Sequence, residues 1–161
     1  MKKIFAIIIC LSMLSLTACA QRDYSNTARC SDVADSVKLS LSDGQEYENY
    51  DSSHIKYNFE DTSLQDDACI FYSVDSSDIN EVGIFHGAKE DDIDELTAII
   101  ENYLRDMREN QRAFIESYAP NEIPKLEDAR VYIFGNYIVY TILPSDQRDA
   151  AIDEIEKILL K

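Results

Sequence analysis

The most constraining feature of the sequence is a pair of apolar runs, residues 129–134 and 137–143, separated by the dipeptide Gly135-Asn136. A two-residue turn of this kind follows the twist of a β-hairpin, and Gly135 supplies the positive φ it requires. Counting outward from the turn pairs Phe134 with Tyr137, Ile133 with Ile138, Tyr132 with Val139 and Val131 with Tyr140. Strand alternation then puts Val131, Ile133, Ile138, Tyr140 and Ile142 on one face, and Tyr132, Phe134, Tyr137, Val139 and Thr141 on the other. Both faces are apolar, so the hairpin is expected inside a sheet rather than at a bare edge.

Two further strand patterns, 68–74 and 81–86, flank the turn-forming stretch Asp75-Ser76-Ser77-Asp78 and are expected to pair as a second hairpin. Between the hairpins, Lys89-Glu90-Asp91-Asp92 opens a long helical pattern. Ile93, Leu96, Ile100, Tyr103, Met107, Phe114 and Tyr118 recur at threes, fours and their multiples, predicting one helix of about seven turns that Pro120 stops. Acids crowd its first turn, where they offset the partial positive charge of a helix start. A shorter helix, capped by Ser31-Asp32 and ended by Asp43-Gly44, carries Val33, Val37 and Leu41. A last one follows Pro144-Ser145, with Ile152, Ile155 and Leu159 inward. In 45–67, where acids, Ser and Tyr dominate, only Ile55, Tyr57 and Phe59 alternate as a brief strand would. The order predicts an α+β domain with a mainly antiparallel sheet of about four strands (helix-strand-strand-long helix-strand-strand-helix), the long and final helices packed on its aliphatic face. The aromatic face is core if 45–67 covers it. If it is left open, Tyr132, Phe134 and Tyr137 form the candidate binding surface.

The first residues carry a different signal. Met1-Lys2-Lys3 precedes an apolar run that is too short for a spanning helix, and Leu16-Thr17-Ala18-Cys19 fits a bacterial lipobox. The expectation is a lipoprotein signal peptide over 1–18, a lipidated Cys19 with a polar tether over 19–29, and a single α+β domain over 30–161. An ordinary signal cut after Ala20 is the alternative. Cleavage before Cys19 removes Lys2 and Lys3 and no acid, so the formal charge of −16 deepens to −18. Nucleic acid is excluded as a ligand on that ground, and the domain is expected to stand off anionic headgroups. A cationic protein or peptide partner would fit. Four cysteines are present. Cys10 leaves with the signal and Cys19 carries lipid, so Cys30 and Cys69 remain, either as free thiols or as a disulfide that export would permit.

No constellation specifies a reaction. Neither His54 nor His86 belongs to a metal-binding histidine pattern, and no CxxC, nucleophile-elbow or glycine-rich phosphate motif is present. No catalytic residue, cofactor or metal site is expected. His86, near Asp91 and Asp92, could have its imidazole oriented as a base, yet no nucleophile stands beside it. Asp91, Asp92, Asp94 and Glu95 lack the spacing of a calcium loop, and Asp75, Asp78 and Glu81 read as turn residues.

The stretch Glu81-Val82-Gly83-Ile84-Phe85, the acid-led helix, the run Tyr118-Ala119-Pro120-Asn121-Glu122-Ile123-Pro124-Lys125-Leu126 and Gly135-Asn136-Tyr137 form an ordered set. Together they resemble the bacterial lipoproteins of Gram-positive anaerobes that carry domain of unknown function 4358. The resemblance runs from about Ile70 onward; the acidic 45–67 stretch and the Cys30/Cys69 pair lie outside it. It implies a membrane-attached extracytoplasmic domain of this element order and supplies no catalytic residues. Scaffold roles suit its motif residues: Gly83 admits a close backbone or ring, and Tyr118, Glu122 and Lys125 could form a polar cluster. The expected function is a non-catalytic binding or interaction module at the cell envelope. A carboxylate-based envelope hydrolase and a purely structural envelope protein are the alternatives.

Overall fold

The sheet has five strands in the order β1-β2-β3-β5-β4, with every neighbouring pair antiparallel. The structure, a computed structural model, describes residues 22–41, 44–59 and 62–161. The strands are β1 (Tyr47–Asn49), β2 (Gln65–Ser73), β3 (Glu81–Gly87), β4 (Arg130–Phe134) and β5 (Tyr137–Ile142). The β4–β5 register is the one the Gly135-Asn136 turn dictates, Phe134 facing Tyr137 and Val131 facing Tyr140, with Gly135 at φ 60°. Both hairpins form. The strand count is one higher than expected, because β1, only three residues long, adds to β2. Only half of the β4–β5 hairpin is interior: β5 lies between β3 and β4, while β4 is an edge strand and leaves Ile133 51% exposed.

Helices cover both faces of the sheet, not one. On the aromatic face, α1 (Cys30–Leu41) and α6 (Ser145–Leu159) pack Val33, Val37, Ala151, Ile155 and Leu159 against Phe71, Val82, Phe134, Tyr137 and Val139. On the aliphatic face, α2 (Ser52–Asn58), α3 (Ile93–Glu109), α4 (Arg112–Tyr118) and α5 (Ile123–Glu127) close over Ile70, Phe85, Ile138, Tyr140 and Ile142. The cause is visible in β5, which is buried at all six positions and so needs a cover on each side. The rings of Phe134 and Tyr137 are therefore core, and Tyr132 is packed against the same cluster. Their cover is α1 and α6; from the 45–67 segment Tyr47 packs against this cluster, whereas α2 lies on the opposite face.

Two helices differ from the sequence pattern. The seven-turn helix is broken: a 3-10 turn, Glu90–Asp92, leads into α3, and Asn110 and Gln111 separate α3 from α4. Beyond the break Ile115 turns into the core, whereas Phe114 and Tyr118 face solvent and stack on each other at 5.8 Å. Residues 52–58 form α2 instead of a strand. Asp51 caps it, accepting from the backbone N–H of Ser53 at 2.9 Å and of His54 at 3.0 Å, and Ile55 with Phe59, four apart, reach the core.

The polar run expected to be a tether is bound to the domain from Arg22 onward. Tyr24 bridges Leu160, Ser25 N–H donates to the Leu159 carbonyl at 2.7 Å, and Lys161 N–H donates to the Asp23 carbonyl at 3.0 Å. The Tyr24 ring meets Phe134 edge-on, and its hydroxyl donates to Glu156 at 3.1 Å. Cys19, Ala20 and the signal segment lie outside the described residues, as does Asp43.

Candidate functional site

The surface feature with the most chemistry lies where β1 hands the chain to α2. Tyr50 follows β1, and its N–H donates to the Ile70 carbonyl of β2 at 2.9 Å, which fixes its backbone to the sheet. Its ring stacks on His54 at 3.5 Å and 4°, and on Tyr72 of β2 at 4.1 Å and 18°. One turn along α2, Tyr57 projects outward with 85% of its surface exposed. These rings, with Asn49, Asp51 and Ser53, line an open hollow of about 670 Å³.

Its electrostatics favour a positive guest. The hydroxyl and backbone hydrogen bonds from Ser53 and His54 hold the Asp51 carboxyl below its usual range, so it is charged. Burial pushes the His54 imidazole down, keeping it neutral, and its Nε2 finds no partner among the described residues. Burial, reinforced by Glu81, pushes the Tyr50 phenol up. Glu48 accepts from the Tyr72 hydroxyl at 3.3 Å. Neutral rings edged by the ionised Asp51 carboxylate result. Across α2, and sharing Ser53, a second hollow of about 520 Å³ carries Asp66 and Asp67 beside Lys56.

The stack is anchored from below. Glu81, at the start of β3, is buried and receives the hydroxyl of Tyr140 at 2.6 Å, that of Tyr103 at 2.8 Å and that of Tyr50. Burial raises its carboxyl above the usual range while the three hydroxyls pull the other way. Tyr50 thus presents its ring to the hollow and its hydroxyl to the core, so the platform is preorganised. Tyr140 reaches Glu81 by lying across Gly83, where an added Cβ would come within 2.1 Å of the ring. Asn80 continues the network, with its amide N–H groups on Tyr47 and Gln147 and its carbonyl on Lys125, which also binds Asp78 at 2.8 Å and Glu122 at 2.5 Å. Of the expected polar cluster, Glu122 and Lys125 meet and Tyr118 does not.

The residues singled out from sequence lie elsewhere. Tyr132, Phe134 and Tyr137, considered as a binding surface, are packed under α1 and α6. Cys30 and Cys69 are free thiols in that same cluster, both pushed up by burial, and the Cys30 N–H donates to Asp67 at 2.7 Å. His86 pairs through Nδ1 with Asp66 at 2.6 Å, so its carboxylate comes from β2 instead of Asp91 or Asp92. Among the described residues no group of His, Cys, Asp and Glu is arranged to hold a metal ion, and no helix is long and apolar enough to cross a membrane. Tyr50, Tyr72 and Glu81 escape sequence reasoning because strand pairing, not spacing, brings them together; Tyr57 was read as a strand residue and is placed by α2.

Residues 40–143 match the model of the family described as Domain of unknown function (DUF4358), and the chain belongs to that family. The matched span begins upstream of the resemblance noted from sequence and takes in the acidic 45–67 stretch with the whole aromatic hollow. Comparison with curated proteins and with solved structures returned no significant match.

Proposed function

We propose that this DUF4358-family protein is a lipid-anchored extracytoplasmic binding module, held at the cell membrane through Cys19, whose aromatic hollow receives a cationic group of a protein or peptide partner. The observation that carries the reading is the Tyr50–His54–Tyr72 stack, braced by a buried glutamate and bordered by Asp51 and the exposed ring of Tyr57. A cation over an exposed tyrosine face gains about 0.5–1 kcal/mol, more when it loses water. Micromolar affinity corresponds to roughly 8 kcal/mol, so one ammonium group in the hollow is too little. A basic peptide crossing α2 would also engage Asp66 and Asp67 in the neighbouring hollow, and a chain charge of −16 would speed its approach.

A hydrolase built on carboxylates would pair an acid with a base across a cleft. The groups facing Glu81 are three tyrosine hydroxyls, and Glu81 does not line the hollow. The geometry therefore favours binding over that alternative.

Titration of the full chain with a short oligolysine, followed by tyrosine fluorescence at low and physiological salt, tests the site. Saturable binding that weakens with salt and drops at least several-fold in Tyr57→Ala and Tyr72→Ala supports it. Equal binding by those variants and the parent protein overturns it. Anchoring is tested separately: Cys19→Ala should release the protein from the membrane fraction with its fold intact.

A further inference from the structure

The described chain starts three residues after Cys19, and a peptide of that length spans at most about 11 Å. From Asp23 the backbone is already bonded to the residues that end and follow α6, through the Tyr24–Leu160 bridge and the flanking 2.7 and 3.0 Å hydrogen bonds. Arg22 is also ion-paired with Glu156. A lipid on Cys19 would therefore hold one particular face of the domain close to the bilayer, because at most about 11 Å of chain lies between Cys19 and Arg22.

That face differs from the rest of the surface. Arg22 sits on the rim of two shallow hollows. One holds Ile133 of the edge strand β4, and the other holds Leu160, Lys157 and Lys161. Ile133 is 51% exposed and Leu160 47% exposed. Three cations cluster here, each beside an acid: Arg22 pairs with Glu156, Lys157 with Glu154 at 2.9 Å and Lys161 with Asp23 at 3.0 Å. Long lysine and arginine stems can lie along apolar surface and still deliver their charge to phosphates.

We propose that this face, formed by the β4 edge and the end of α6 around Arg22, rests on the lipid surface, with Ile133 and Leu160 among the headgroups and Lys157 and Lys161 at the phosphates. The proposal rests on the lipid-anchor reading above. Two apolar side chains are not needed to attach the domain, since the lipid does that; they have only to fix its orientation. The aromatic hollow gains from that orientation. It lies at the β1–β2 end of the sheet, and β1 and β4 are opposite edges, four strand spacings of about 4.8 Å apart, near 19 Å in all. A domain lying on β4 turns the hollow outward, toward a soluble partner.

The test uses the full lipidated chain in vesicles of phosphatidylcholine and phosphatidylglycerol. A polarity-sensitive maleimide dye is placed at Ile133→Cys, Leu160→Cys or Tyr57→Cys; the buried Cys30 and Cys69 stay unlabelled in the native protein. Nitroxide groups on the lipid heads should quench the dyes at 133 and 160 several-fold more than the dye at 57. Lys157→Cys, an exposed helix position, serves as a second reporter where a variant at 133 or 160 fails to fold. Equal quenching at all positions, or strongest quenching at 57, overturns the proposal while leaving the anchor intact. Absence of lipid on Cys19 by mass spectrometry overturns the anchor, and this proposal with it.

Discussion

The hydroxyl of Tyr140 donates to Glu81 at 2.6 Å, a phenol and a carboxyl meeting in the interior between β5 and β3. Burial is the largest influence on Glu81 and raises its carboxyl, so the folded protein holds this proton more tightly than the unfolded chain does. A carboxyl with a raised folded pKa contributes stability that is fully present below the ordinary carboxylate range and is lost as pH rises toward its folded value. Glu81→Gln lacks that dependence. The melting temperature of wild type minus that of Glu81→Gln should therefore decrease between pH 4 and pH 8. A difference that instead rises with pH would show that the tyrosine hydroxyls outweigh burial and keep the group ionised.

Gly83→Ala tests the approach of the same ring. The new Cβ would lie 2.1 Å from Tyr140 Cε1 and 2.7 Å from two further ring atoms. Tyr140 cannot swing aside freely, being tied to Glu81 and packed beside Tyr103 and Phe85. Overpacking of this kind costs about 1–3 kcal/mol, measurable by denaturant unfolding. The cost should shrink in a Tyr140→Val background, where the ring is gone. An undiminished cost would assign it to the β3 backbone instead.

How much of this was readable beforehand follows from whether each signal is local. The β4–β5 register was, because a two-residue turn sets it and a slip would invert every side chain. The break at Asn110 and Gln111 was not, since Met107, Phe114 and Tyr118 keep their sevens and fours across it. Ile55, Tyr57 and Phe59 fit a strand period and, taking Ile55 with Phe59, a helix period equally; the cap from Asp51 decided between them. The hollow was hidden more deeply. Tyr50 and Tyr72 stand 22 residues apart, and Glu81 looked like a turn acid until the β1–β2–β3 pairing set it beneath them. The strap at 22–28, which bridges to Leu160, resembled a linker by composition.

Cys30 and Cys69 should behave as structural thiols. Burial pushes both up and so starves them of the reactive thiolate. Alkylation of the native protein should run more than about tenfold slower than that of a free thiol. In denaturant without reductant, both should be modified. Failure to modify either one under denaturing conditions would show them joined as a disulfide.

Tyr24 should carry the strap. Its ring makes an edge-on contact with Phe134 at 5.6 Å and 83°, and its hydroxyl bonds Glu156 at 3.1 Å. An aromatic pair contributes about 0.5–1.5 kcal/mol beyond its area, and a hydrogen bond a similar net amount. Tyr24→Ala should therefore cost about 1–3 kcal/mol in denaturant unfolding, and Tyr24→Phe only the hydrogen-bond share. Hydrogen exchange separates a loosened strap from a loosened core. The amides of Ser25 and Lys161, which close the strap onto the end of α6, should lose protection in Tyr24→Ala, while those of β5 keep theirs. Unchanged exchange at Ser25 and Lys161 would mean that the Asp23–Lys161 and Arg22–Glu156 pairs hold the strap without the ring. The domain's closeness to Cys19 would then depend on surface charge, and raising the salt concentration should free it.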